Sequence, residues 1–202
     1  MSTLNIGVKK LINKLKKLFA ISSGFTLIEL LVVIGILGVL AAALVATIDP
    51  FEQLKKADDA KIKNISVEFQ TALVRYYTTH GSFPWNDVAS TNTNCTNLVT
   101  TGITGLRLNT SGLMACLGTA ALTGSLISEG ELKASFTSNT TDLGKVSVTW
   151  ATGFPTDVTV CFSPTSKSQK AAPDAKWNSQ GVLQAGCPNA AAAADVCFWC
   201  TK

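Results

Sequence analysis

One long apolar run dominates the first quarter of the chain. The 19 residues from Leu30 to Ile48 contain Thr47 as their only polar side chain. A helix of that length extends about 28 Å, close to the thickness of a bilayer core. Gly35 and Gly38 interrupt the run, but glycine is tolerated in lipid and lets helices approach closely. The pattern therefore predicts a membrane-spanning helix.

A second helical pattern follows Asp49 and Pro50. Aspartate is a good N-cap, proline suits the first helical position, and Glu52 completes a pattern like a capping box. Apolar residues then recur every three or four positions and predict a stripe that packs beneath a head: Ile62, Ile65, Phe69, Leu73 and Tyr76. The charged residues of the same segment are expected to form a solvent face: Lys55, Lys56, Asp58, Asp59, Lys61 and Lys63. Gly81 is expected to end the helix, and the residues leave open a separate helix or a kink near Pro50.

Short strand patterns appear beyond residue 80, where Thr, Ser, Gly, Asn and Ala dominate. Four segments rich in Val, Thr, Phe and Trp predict a small antiparallel sheet over the upper half of the helix: Leu132–Thr137, Val146–Trp150, Val158–Phe162 and Val196–Trp199. Residues 86–131 form a less regular connection with a short helix expected at Leu113–Leu122. Ala190–Ala194 is expected to be a surface loop or a helical turn.

The net charge of +4 belongs to the beginning of the chain. Residues 1–23 hold five lysines and no acid, so the rest carries 12 of the 17 basic residues against 13 acidic ones, a net charge of −1. Lysines before an apolar run keep that end on the cytoplasmic side of a membrane. The alternative is a basic amphipathic helix lying on the membrane, with Leu11, Ile12, Leu15 and Leu18 at helical spacing.

Glu29 lies at the edge of the apolar run. An ionised carboxylate well inside hydrocarbon costs roughly 2.5–3.5 kcal/mol, so this charge needs a partner. Cleavage after Gly24 would expose an α-amino group on Phe25, which is mostly a cation at neutral pH. That amine can neutralise Glu29 of its own chain or of a neighbouring chain, and the second pairing gives an assembly its register.

The segment Gly24–Leu30, with lysines before it and the apolar run after it, resembles the class III signal of type IV prepilins and pseudopilins. The resemblance covers roughly residues 9–85. It implies that a membrane peptidase cuts between Gly24 and Phe25 and N-methylates Phe25, and that Glu29 is needed for assembly. It also favours one long kinked helix. The implied fold is α+β and type IV pilin-like, with a long N-terminal helix under a small, disulfide-bonded antiparallel head.

The resemblance implies four regions: a cleaved leader (1–24), a transmembrane and filament-core helix (25–48), an amphipathic helix (49–80) and a β-rich head (81–202). We interpret the chain as a type IV pilus subunit that supports adhesion, twitching motility or DNA uptake. Its expected partners are copies of itself, the prepilin peptidase and methyltransferase, the inner-membrane assembly platform and the membrane; DNA binding is not indicated. We expect a single-pass membrane protein with a cytoplasmic N-terminus, and then an extracellular pilus.

Several alternatives remain open from the sequence. The first alternative is a pseudopilin of a type II secretion or competence system. The second is a membrane-anchored extracellular binding module that never polymerises. An ordinary signal peptide, with a small-residue site at Leu44–Ala46, would have an unusually long apolar region and a glutamate without a role. An uncleaved signal anchor is the remaining option.

Six cysteines lie in the expected head, which an oxidising exterior would keep paired: Cys95, Cys116, Cys161, Cys187, Cys197 and Cys200. Six cysteines allow about 15 pairings. We expect Cys95–Cys116, with the other four pairing among themselves. The Cys197–Cys200 C-x-x-C spacing also suits a redox motif or, with Cys161 and Cys187, a zinc site; structural disulfides are the preferred interpretation.

Enzymatic motifs are lacking in the sequence, and we expect a non-enzyme without cofactor, metal or catalytic residues. His80, the one histidine, is expected to be a surface or capping group. Pseudopilins of the type II secretion class bind calcium near their C-terminus, and the residues that would serve here are Asp174, Asn178 and Asp195. Their spacing matches no calcium loop, so we predict no site there.

Overall fold

The computed structural model describes residues 24–47, 49–87, 92–96, 98, 103–118, 123–151 and 157–201. The leader expected at residues 1–24 lies outside this range except for Gly24. The chain divides into two compact units, Met1–Asp49 and Pro50–Lys202. In the first unit, the described element is helix α1, Leu27–Thr47. All the α1 side chains described are exposed, so α1 buries no apolar surface within the described chain.

The second unit begins with helix α2, Pro50–His80. Its start at Pro50 agrees with the sequence pattern, and it ends where Gly81 adopts a positive φ of 73°, a conformation that glycine adopts without strain. The predicted apolar stripe is confirmed: Ile62, Phe69, Leu73 and Tyr76 are buried and Ile65 is half-buried.

A four-stranded antiparallel sheet of order β1-β2-β3-β4 covers the buried stripe of α2. The strands are β1 (Ile103–Arg107), β2 (Val146–Trp150), β3 (Val158–Phe162) and β4 (Trp199–Thr201). The remaining elements are short: α3 (Thr93–Thr96), α4 (Ser111–Leu117), a 3-10 helix (Ala134–Ser138), α5 (Thr140–Leu143) and α6 (Lys167–Lys170). This architecture confirms the predicted α+β, pilin-like fold.

The strand predictions succeeded in the centre of the sheet and failed at its edges. Val146–Trp150 and Val158–Phe162 are strands with the predicted bounds. The Leu132–Thr137 prediction is wrong, because this segment leads into the 3-10 helix and Phe136 packs beside Phe69, with ring centroids 6.5 Å apart.

Two further differences concern the edge strands. The C-terminal strand is Trp199–Thr201 rather than Val196–Trp199, because Cys200 pairs in register with Cys161. The sequence analysis missed β1, Ile103–Arg107, whose pairing is irregular between Ile103 and Leu106. Gly105 weakens the strand pattern there.

The predicted helix at Leu113–Leu122 is shorter and begins earlier, at Ser111–Leu117. Gly118 ends it at a φ of 73°, and a Cβ there would lie 2.1 Å from Oγ of Ser125. Residues 119–122 lie outside the described range. Ala190–Ala194 has turns and no regular element, and it is mostly exposed, as the sequence indicated.

The predicted charged solvent face of α2 is confirmed for Lys55, Asp58 and Lys61, which are exposed, and is wrong for Asp59. Asp59 is buried and accepts four hydrogen bonds of 2.6–2.8 Å from the backbone N–H and hydroxyl groups of Thr165 and Ser166. Asp58 pairs with Lys145 at 2.7 Å. These residues attach α2 to the loop after β3 and to the turn before β2.

Two lysines of the same predicted face also contact acids of the head. Lys61 pairs with Asp142, a hydrogen bond that raises the pKa of the lysine. Lys63 lies 3.6 Å from Asp174 and 4.5 Å from the centre of the Trp199 ring. Charged residues on this helix therefore form ion pairs with the head in addition to facing solvent.

Three disulfides close the head: Cys95–Cys116, Cys161–Cys200 and Cys187–Cys197. Their sequence separations are 21, 39 and 10 residues. If loop closure in the unfolded chain is the main effect, they contribute roughly 3.3, 3.9 and 2.7 kcal/mol, respectively. The longest loop, closed by Cys161–Cys200, ties the terminal strand to the centre of the sheet.

Candidate functional site

The start of α1 carries the residues that the sequence singled out. Gly24, Phe25 and Thr26 lie outside the helix and are exposed, Phe25 by 74%. The peptide bond between Gly24 and Phe25 is therefore in an accessible, non-helical segment. Helix α1 begins two residues after Phe25, at Leu27.

Thr26 and Glu29 form a capping box at this helix start. Glu29 Oε2 accepts hydrogen bonds from Thr26 N at 3.0 Å and Thr26 Oγ1 at 2.7 Å. The backbone N–H of Glu29 donates to Thr26 Oγ1 at 3.3 Å. These bonds satisfy donors that the first turn of a helix otherwise leaves unpaired. The sequence analysis missed this role, although the T-x-x-E pattern signals it.

Only one carboxylate oxygen of Glu29 takes part in the capping box. Glu29 Oε1 has no hydrogen-bond donor among the residues that the structure describes. The carboxylate can therefore cap its own helix and accept a bond from a second group at the same time. This geometry is compatible with the amine pairing expected from the sequence.

The surface of α1 is apolar on every side. A 19-residue stretch, Leu27–Val45, is long and apolar enough to cross a membrane. Its most apolar part has no residue buried within the described structure. A Cβ added at Gly35 or Gly38 would meet nothing within 4 Å. Contacts within the described chain therefore do not require these two glycines.

Residues 20–45 match the protein family described as the prokaryotic N-terminal methylation motif. The match spans the capping box and nearly all of the apolar helix. This segment is a prepilin signal of the type IV pilin and pseudopilin class. Searches of curated proteins and of solved structures returned no match. The assignment of the prepilin signal therefore comes from the N-terminal segment and its helix.

The other cysteine interpretations do not agree with the structure. Cys197 and Cys200 are not joined to each other, because they belong to the bridges with Cys187 and Cys161. All six cysteines are in disulfides, so a four-thiolate zinc site and a free dithiol both conflict with this arrangement.

The residues considered for calcium are engaged elsewhere. Asp174 pairs with Lys63 at 3.6 Å and Asp195 pairs with Arg107 at 2.8 Å. Asn178 Oδ1 accepts hydrogen bonds from the backbone N–H groups of residues 180 and 182. Within the described ranges, no three His, Cys, Asp or Glu side chains are grouped to hold a metal.

His80 lies at the end of α2, where its ring stacks on Tyr76 with centroids 4.0 Å apart. Its Nε2 lies 3.7 Å from a carboxylate oxygen of Glu129. The Tyr76 hydroxyl donates to Asp87 at 2.6 Å. Burial of the hydroxyl is the larger cause, and this hydrogen bond the smaller one, of the raised pKa of Tyr76. The cluster closes the end of the helix against the head, and no pattern in the sequence indicated this role for Asp87.

Proposed function

We propose that the chain is a structural subunit of a type IV pilus. Its leader is removed between Gly24 and Phe25, Phe25 is N-methylated, and the helix 25–48 anchors the subunit before assembly. The observation that carries the proposal is a methylation motif on a helix that is apolar all round. Such a surface is stable in lipid or against other helices, but not in water.

Assembly transfers this helix from lipid to the interior of a filament. Other copies of α1 replace the lipid, and Gly35 and Gly38 allow their backbones to approach closely. The Phe25 amine of one subunit pairs with Glu29 of the next, because an unpaired charge in such a core is costly. Apolar packing supplies cohesion, and this charge pair supplies register.

The remaining partners follow from this sequence of events. A prepilin peptidase and methyltransferase acts on the Gly24–Phe25 bond and on the new amine. An inner-membrane assembly platform extracts the mature subunit. The disulfide-bonded head then forms the outer surface of the filament, through which adhesion, twitching motility or DNA uptake takes place.

The N-terminus of the mature protein tests the processing step. Mass spectrometry of the purified chain is expected to find Phe25 as the first residue, carrying one additional methyl group. A chain that still begins at Met1, or that is trimmed near Thr47, contradicts the proposal. Long surface filaments are expected by electron microscopy; processed subunits without them indicate a pseudopilin instead.

A pair of substitutions separates the two roles of Glu29. Glu29→Gln keeps an acceptor for the Thr26 N–H group but removes the charge, so filaments are expected to be lost while membrane insertion persists. Thr26→Ala removes the hydroxyl of the capping box but keeps the charge, and we expect filaments to form. If Glu29→Gln assembles normally, the carboxylate serves only as a helix cap and the proposed register is wrong.

A further inference from the structure

One face of α2 is exposed and carries no charge over most of the helix. Eight residues define this outer face, at alternating steps of four and three: Gln53, Ala57, Ala60, Asn64, Val67, Thr71, Val74 and Thr78. Such steps average about 3.5 residues, the spacing of left-handed packing between helices. The face extends about 38 Å at about 1.5 Å per residue.

The outer face points away from the head of its own subunit. Ile62 and Phe69, both buried, each follow a member of the outer face by two positions. Two residues correspond to about 200° around a helix. The head therefore covers one side of α2, and the outer face occupies the opposite side.

The threonines of the outer face turn their hydroxyl groups inward. Thr71 Oγ1 donates to the carbonyl oxygen of Val67 at 2.7 Å, and Thr78 Oγ1 donates to that of Arg75 at 2.7 Å. Both threonines are exposed, as are Val67 and Val74, by 44% and 54%. Much of the face can therefore lose contact with water without leaving a hydroxyl donor unpaired.

Three cations near the outer face form ion pairs with acids of the head. Arg75 Nε contacts Glu131 at 2.6 Å, and Lys61 and Lys63 pair with Asp142 and Asp174. A helix side that faces water usually carries charges. Here these three cations are directed toward the subunit's own acids. Lys56 and Glu68 also border the outer face, so the uncharged part that is left for a partner is most, not all, of this side of the helix.

We propose that the outer face binds α2 of a second copy of this chain, in parallel. The inference rests on the proposed function, because copies packed through α1 all point the same way and only residues 48 and 49 separate α1 from α2. The occupant is then another uncharged helix face, which matches this one in charge and spacing. Ala57 and Ala60 allow close approach, and Asn64 pairs across the contact and fixes its register.

A matched pair of substitutions in the full-length chain tests the contact. Val74→Arg places a cation on the outer face, whereas Val182→Arg places one on a head residue of similar exposure, 59%. We expect Val74→Arg to lower the yield of filaments roughly tenfold or more, because an unpaired charge would be buried. Val182→Arg is expected to stay within about twofold of wild type.

Processing and folding are measured in the same samples. Both variants are expected to retain leader removal, membrane insertion and three disulfides, since Val74 is exposed in the subunit. Filaments at wild-type yield from Val74→Arg overturn the inference. An equal loss from Val182→Arg also overturns it, because the effect would then not belong to the outer face.

Photo-crosslinking locates the partner directly. With p-benzoylphenylalanine in place of Val67, irradiated filaments are expected to give a dimer whose crosslinked peptide lies within α2 of the second copy. A crosslink only to lipid or to a head peptide overturns the inference. If the wild-type chain forms no filaments, both the proposed function and this inference are contradicted. If the wild-type chain forms filaments and substitutions on the outer face do not change their yield, the inference alone is contradicted.

Discussion

The two long helices of this chain use their apolar residues in opposite ways. In α1, large apolar side chains such as Leu27 and Val39 are 81% and 71% exposed. In α2, Phe69 and Tyr76 are 1% and 0% exposed beneath the sheet. The first helix therefore needs lipid or other chains to cover it, whereas the second is covered by its own head.

This contrast separates assembly from folding. The head has a buried core, a four-stranded sheet and three disulfides, all formed within Pro50–Lys202. Substitutions on α1 should therefore alter association and leave the stability of the head intact. Substitutions on the buried side of α2 should do the reverse.

The largest expected effect comes from removing a core side chain of α2. Phe69→Ala should lower the free energy of unfolding of the head by about 3–5 kcal/mol, through lost burial and the cavity left behind. Ile34→Ala on α1 should change it by less than about 0.5 kcal/mol, because Ile34 is 59% exposed.

Denaturant titration in detergent, followed by tryptophan fluorescence, measures both variants. The four tryptophans lie within Pro50–Lys202, so the signal reports on the head: Trp85, Trp150, Trp177 and Trp199. A comparable loss of stability from Ile34→Ala would remove the distinction between the two helices.

A smaller effect is expected at two adjacent aspartates. Asp59→Asn should lower the free energy of unfolding by roughly 1.5–3 kcal/mol, because a buried carboxylate with four donors becomes a neutral amide. Asp58→Asn, which removes an exposed ion pair with Lys145, should cost about 0–1 kcal/mol. Equal costs in the same titration would mean that the buried hydrogen bonds of Asp59 do not hold α2 to the head.

The smallest effect is the pH dependence that Glu52 contributes. The hydrogen bond from the backbone N–H of Lys167 lowers the pKa of Glu52 below its ordinary value of 4.5. The folded state then binds the proton less readily than the unfolded state, so this stabilisation is present above pH 4.5 and is lost as the pH falls through the lowered value. Glu52→Gln should flatten this part of the profile of denaturation midpoint against pH; an unchanged slope would contradict the assignment.

Local patterns predicted the elements whose neighbours lie close in sequence. The apolar run, Pro50 and Gly81 marked the helices, and a composition rich in Val, Thr, Phe and Trp marked β2 and β3 with their observed bounds. The sequence analysis missed the capping box of Thr26 and Glu29, although its pattern spans only four consecutive positions. The strand predicted at Leu132–Thr137 was wrong because its structure depends on a residue far away in the sequence. The segment leads into a 3-10 helix, and its Phe136 packs beside Phe69 of α2.

By itself, the sequence determined the prepilin signal, the two helices and the stripe of α2 that the head covers. These features depend on helical period and on residue type, which are properties of short segments. Tertiary structure alone decided that Asp59 is buried by Thr165 and Ser166. It also decided how the four C-terminal cysteines pair, as Cys161–Cys200 and Cys187–Cys197, whereas Cys95–Cys116 was expected from the sequence. The physical reason is distance along the chain. Asp59 and Thr165 are 106 positions apart, so their contact produces no periodic pattern in the sequence, and only the packing of the head brings the two residues together.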